Sequence, residues 1–195
     1  GWLALHDLSK TVTLMTKTAK PGDDMARAMG VLLRKLSGFS GLVHENMYHF
    51  TGWRFLSIGR ALERAVNLAG MLASFADPKA PDGSLDLAVE VADSSMSHRT
   101  RFAVSTTRAT VIDLLALDQL NPRSIMFQLN EMNSHIGFLP EVDRDGPLSQ
   151  LQKLMMQTHT KLAVQTPETL STRSLLDIRQ DFFALSNQLS ATYLA

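Results

Sequence analysis

Cysteine is absent from the 195 residues, which excludes disulfides, thiolate metal sites and a cysteine nucleophile. Net charge is absent as well. Nineteen Lys and Arg balance nineteen Asp and Glu, so there is no electrostatic footprint for DNA or RNA. No apolar run approaches the ~20 residues of a membrane span, and no signal-peptide-like stretch is visible. A reducing, cytoplasmic location is expected, with neither nucleic acid nor membrane as partner. Hairpin signals are missing too: no Asn-Gly pair separates alternating strands. No Gly-rich phosphate loop opens a helix, which argues against nucleotide binding by the chain itself. No Glu-x-x-His pair occurs, which argues against a carboxylate-bridged di-iron bundle. Neither cofactor nor metal is therefore expected.

What is present is a 3.6-residue period in almost every segment, with an apolar fraction of 45% and a charged fraction of 19%. The expected fold is all-α, a bundle of about seven or eight mostly antiparallel helices forming a single domain over residues 1–195. Helices are expected at about 2–17, 24–48, 53–75, 84–102, 106–120, from Pro122 through Ile136, 148–164 and 167–193. Their apolar stripes include Leu5, Leu8, Val12 and Met15 in the first and Met25, Met29, Leu32 and Leu36 in the second. Gly38 and Gly41 read as a bend or a close helix contact, and Asp23 as a cap. Asp77 to Gly83 (DPKAPDG) and Pro140 to Pro147 read as loops. Asn121-Pro122 has the form of a helix start, a capping side chain followed by proline at the first helical position.

The stretch Gly38 to Gly70 mixes ionisable groups into an otherwise apolar run and is the first place to look for function. His44-Glu45-Asn46-Met47-Tyr48-His49 resembles the HExxH zinc helix only superficially. Its histidines are at i and i+5, about 140° apart on a helix, where a shared metal needs about 40°. Glu45 and His49, at i and i+4, read more simply as a helix-stabilising pair. Arg60, Glu63, Arg64 and Asn67 share one face of their helix and could line a carboxylate-binding or catalytic cleft. Periodicity alone favours a solvated face with an i, i+3 ion pair.

Arg99 is the anomaly. Counted two heptads from Leu85 in a continuous 84–102 helix, it differs from that apolar residue by only about 40°. An arginine there should be buried and paired, with Glu63 and then Glu45 as the first partners and Asp113 or Asp118 as the structural alternative. Glu45, Glu63, Arg60 and Arg99 are therefore candidate catalytic residues.

Three blocks carry a resemblance. GLVHENMYHFTGWRFLSIGRALERAVNLAGML (41–72), ADSSMSHRTRF (92–102) and VIDLLALDQLNPRSIMFQL (111–129) resemble, in order, the blocks of the bacterial alpha-E domain family. The match covers about residues 37 to 140, and the last fifty residues agree only in helicity. His98, Thr100, Phe102 and Tyr48-His49 depart from the family pattern. Glu45, Trp53, Arg54, Arg60, Glu63, Arg64, Arg99 and Arg123 keep it, and the resemblance adds Arg123 to the candidate catalytic residues. The resemblance implies an all-helical domain found beside or fused to circularly permuted ATP-grasp ligases and transglutaminase-like proteins. It also implies that this chain is the C-terminal portion of a larger protein, with an apolar groove left along the 53–75 helix for a second copy or as an exposed patch.

The reading favoured by that company is an accessory or substrate-presenting domain for a peptide or amide ligase of ATP-grasp type. The alternatives are a hydrolase or amide-transfer enzyme using Glu45 or Glu63 as base, and a structural bundle that forms homo-oligomers.

Overall fold

The computed structural model describes residues 2–103, 105–140 and 146–194. Within them the chain is all α-helical, and no strand occurs among the described residues. It divides into two compact units, residues 1–49 and 50–195.

The first unit is a pair of helices, α1 (Trp2–Thr18) and α2 (Asp23–Asn46). Gly22 turns the chain between them at φ 98°, a conformation that glycine adopts without Cβ strain. Asp23, expected as a cap, is instead the first helical residue, and the N-cap position is Gly22. Lys35 of α2 bridges to Asp7 of α1 at 2.8 Å and donates to the Thr11 hydroxyl at 2.7 Å. The expected apolar stripes exist but are not a core. Leu8 is buried, whereas Leu5, Val12, Met29 and Leu36 are exposed. α2 runs unbroken through Gly38 and Gly41, and no side chain approaches either glycine, so neither marks a close contact.

The second unit is organised on α3 (Thr51–Phe75). Ile58, Ala61, Leu62, Ala65, Ala69, Leu72 and Ala73 give it a mostly small buried stripe, which lets neighbouring helices approach closely. α7 (Ile125–Ile136) and α9 (Thr172–Tyr193) make its main packing contacts, and α8 (Gln150–Ala163) packs on both of these. Trp53 meets His135 of α7 edge to face at 4.9 Å, and Phe55 meets Tyr193 of α9 at 5.1 Å. Phe182, Leu175, Ile178 and Leu185 carry the α9 stripe into the same core.

Two expected helices are built differently. The 84–102 segment is two helices, α4 (Ser84–Val91) and α5 (Ser95–Phe102), which gives nine α-helices among the described residues, consistent with the expected bundle of about seven or eight. Asp93 sits between them at φ 51°, and the Ser94 N–H donates back to Val89 O at 3.0 Å. The 106–120 segment starts as α6 (Arg108–Ile112) and widens into a π turn, Asp113–Leu117. Leu114, Leu115 and Ala116 are buried in that turn, as its nearly all-round apolarity implies.

Arg108, not anticipated, holds three chain segments together. Its guanidinium donates to Ala76 O at the end of α3 (2.9 Å), to Pro167 O (3.0 Å) and to Leu170 O (2.5 Å). The loop expected over 140–147 falls largely on 141–145, which lie outside the described residues.

Candidate functional site

A cleft of about 540 Å³ runs along the second half of α3. Its floor follows from helix periodicity. Glu63, Asn67, Gly70 and Ser74 form one row at i, i+4, i+7 and i+11, and Arg64, Leu68, Met71 and Phe75 form the adjacent row with the same spacing. From residue 63 to residue 75 the helix rises ~18 Å, so the floor is charged at its N-terminal end and apolar at the other. Val91 and Ala92 at the end of α4 form part of the wall, and Pro122 and Arg123 complete it.

The wall residues are placed by the π turn. Widening the helix frees the Leu114 carbonyl, and the Asn121 amide donates to it at 2.9 Å. The Asn121 side-chain oxygen in turn accepts the Arg123 N–H at 3.0 Å, fixing Pro122 and Arg123 in a tight turn. Gln128 is buried and donates to Pro122 O at 2.6 Å. Asn121 therefore does not cap α7. Ser124 does, accepting the Phe127 N–H at 3.0 Å. The ends of the π turn are themselves clamped. Arg101 bridges to Asp113 at 2.8 Å and to Asp118 by a short contact.

Arg101 thus makes the carboxylate pairing expected of Arg99, but from an exposed position. Arg99 is exposed, and its side chain makes no hydrogen bond or ion pair among the described residues. The reason is the break at Asp93. Phase counted from Leu85 does not carry into α5, and the buried residue of that helix is His98, whose Nε2 lies 2.9 Å from the Thr110 hydroxyl. Met96, in the same helix, is exposed.

The other candidates fall as follows. Glu63 and Arg123 line the cleft together with Arg64. Arg60 is half-buried one turn before Arg64 and adds positive potential there. Glu45 belongs to the first unit. α2 ends at Asn46, so His49 lies beyond the helix and does not pair along it with Glu45. Its Nε2 is 3.3 Å from His44 O, and the two rings are 5.9 Å apart. No group of three His, Cys, Asp or Glu placed to hold a metal occurs among the described residues.

The charges in the cleft are unevenly matched. Glu63 accepts a short hydrogen bond from the Asn67 amide and makes no ion pair among the described residues. Arg123 meets Asp93 at 3.0 Å, but both side chains are largely in solvent, where such a pair is worth little. Arg64 has no hydrogen-bonding partner among the described residues. Its pKa is lowered, first by partial desolvation and then by the neighbouring Arg60 and Arg123, with Glu63 opposing. Loss of water and like charge together disfavour the guanidinium cation, and the opposite charge of a bound anion would offset that cost. The cleft can therefore accept a carboxylate at one end and an apolar body at the other. Asn67 and the apolar row, missing from the sequence-based candidates, were signalled by the i+4 and i+7 steps from Glu63 and Arg64.

A family model described as "a predicted alpha-helical domain with a conserved ER motif", Alpha-E, matches residues 1–194. The chain belongs to the Alpha-E family. The match takes in the first 36 residues and the last fifty as well as the three sequence blocks. Glu63-Arg64 is the one Glu-Arg dipeptide in the chain, and it opens both rows of the cleft floor. Uncharacterised proteins of Mycobacterium bovis and Mycobacterium tuberculosis are 25% identical over 94% of the chain. The chain spans about a fifth (21%) of the length of these relatives. No solved structure matches. No helix among the described residues is long and apolar enough to cross a membrane.

Proposed function

We propose that this Alpha-E chain is an accessory domain of a peptide or amide ligase system of ATP-grasp type, and that the α3 cleft holds a carboxylate-bearing ligand with an apolar body. The observation that carries this reading is the convergence of Arg64 and Arg123 with Glu63 at the mouth of an otherwise apolar cleft. A cleft of about 540 Å³ lies within the usual range for small-molecule sites, which combine apolar walls with a few placed polar groups. An ATP-grasp ligase or a transglutaminase-like protein is the proposed partner, following from the family resemblance. The family match runs across both compact units, which supports treating residues 1–195 as one domain.

Two measurements test the reading. Calorimetric titration with 3-phenylpropionate should give saturable binding that Arg64→Met and Arg123→Met each weaken about ten-fold or more, as expected for a lost charge-assisted contact. Crosslinking in the native cell should join the chain to an ATP-grasp or transglutaminase-like protein. Absence of carboxylate binding refutes the cleft assignment. A chain that crosslinks to neither, while still binding the carboxylate, refutes the partnership alone.

A further inference from the structure

The charged end of the cleft holds an acid as well as bases, and a simple carboxylate ligand leaves that acid unused. Glu63 and Arg64 are consecutive on α3, so their side chains leave the helix about 100° apart and reach the cleft from its two rows. The Asn67 amide holds one Glu63 oxygen, Oε1, leaving Oε2 as an acceptor with no cation on it among the described residues. Arg64 and Arg123 supply donors beside it. Acceptor and donors therefore sit at one end of the floor, while Leu68, Met71 and Phe75 extend from that end over the next three turns.

We propose that the ligand is a zwitterion with an apolar side chain, an apolar α-amino acid or a short peptide of such residues with a free amino terminus. This rests on the carboxylate-holding reading above and adds the second half of the recognition. The ligand ammonium donates to Glu63 Oε2, the ligand carboxylate accepts from Arg64 and Arg123, and the side chain lies along the apolar row. Charge supports the assignment. Glu63, Arg64 and Arg123 sum to one positive charge, so a bound zwitterion finds each of its charges opposed without leaving the carboxylate of Glu63 desolvated beside an apolar ligand. Asn67 acts as a positioning residue. Its amide fixes the Glu63 rotamer, so that Oε2 is presented before the ligand arrives.

The experiment titrates the whole chain with phenylalanine, N-acetylphenylalanine and 3-phenylpropionate, and repeats the series with Glu63→Gln, Asn67→Leu and Arg64→Met. Phenylalanine should bind about ten-fold more tightly than N-acetylphenylalanine, the fold-change expected when a charged hydrogen bond is lost. Glu63→Gln should abolish that preference while N-acetylphenylalanine binds at least as tightly as to the unaltered chain, because the variant removes an acid that this ligand leaves unopposed. That retained affinity also shows that the variant is folded. Asn67→Leu should reduce the preference without removing it, and Arg64→Met should weaken all three ligands. Equal binding of phenylalanine and its N-acetyl form, or a preference that survives Glu63→Gln, overturns the zwitterion and leaves the carboxylate reading standing. Failure of all three ligands to bind the unaltered chain overturns both.

Discussion

Replacing Arg108 with methionine should be among the most damaging single changes in the second unit, although Arg108 does not line the cleft. The side chain donates to three backbone carbonyls from two segments distant in sequence, Ala76 on one side and Pro167 and Leu170 on the other. Ala76 and Leu170 are buried, so water cannot readily replace the guanidinium at their carbonyls. Leaving a buried acceptor unsatisfied costs about 1–3 kcal/mol, so two of them cost roughly 3 kcal/mol. Loss of the half-buried Pro167 contact adds less than about 1 kcal/mol, and returning a half-buried cation to solvent offsets a similar amount. The net expectation for Arg108→Met is a loss of about 3 kcal/mol. Arg108→Lys should recover only part of it, because a single ammonium lacks the planar fork that spans three oxygens. Urea denaturation followed by circular dichroism measures both variants. A loss under about 1 kcal/mol for Arg108→Met, or an Arg108→Lys variant as stable as the parent, would refute the reasoning.

Two further outcomes are expected. Arg99→Met should change stability by less than about 0.5 kcal/mol, while Arg101→Met costs about 1 kcal/mol and loses much of that difference in 1 M salt; a larger effect at Arg99 in the same melts would contradict the assignment of the π-turn clamp. Asp77 titrates below the ordinary carboxylate range because the Thr172 hydroxyl (2.7 Å) and then the Lys79 N–H (2.8 Å) hold its ionised form. Its folded pKa is below its unfolded one, so its contribution is complete above the unfolded value and is lost as pH falls through the folded value. Thr172→Val should therefore raise the Asp77 carboxyl titration seen by NMR and flatten the acid limb of the stability curve. An unchanged titration would show that the hydroxyl is not the cause.

Periodicity alone was enough for the helical class and for the main stripes. Ile58, Leu62 and Ala69 of α3 and Leu175, Ile178 and Phe182 of α9 are buried where a 3.6-residue repeat puts them. The same repeat set Glu63, Arg64 and Asn67 together on one face of α3, and the resemblance of three blocks led to the family. Tertiary structure decided the rest, because each remaining question turned on where a helix stops being regular. Asp93 interrupts 84–102 at a positive φ, and a single such residue resets every later side-chain direction, which moved the ion pairing from Arg99 to the exposed Arg101. The π turn changes the residues per turn within an apolar segment whose composition is the same in either form, and it alone frees the Leu114 carbonyl that draws Asn121 away from capping α7. The cleft depends on both events, since one wall is the end of α4 and another is the turn that Asn121 holds. Side-chain periodicity is a local property of a continuous helix, whereas a cleft is made where helices end, and those ends are fixed by contacts between residues far apart in the chain.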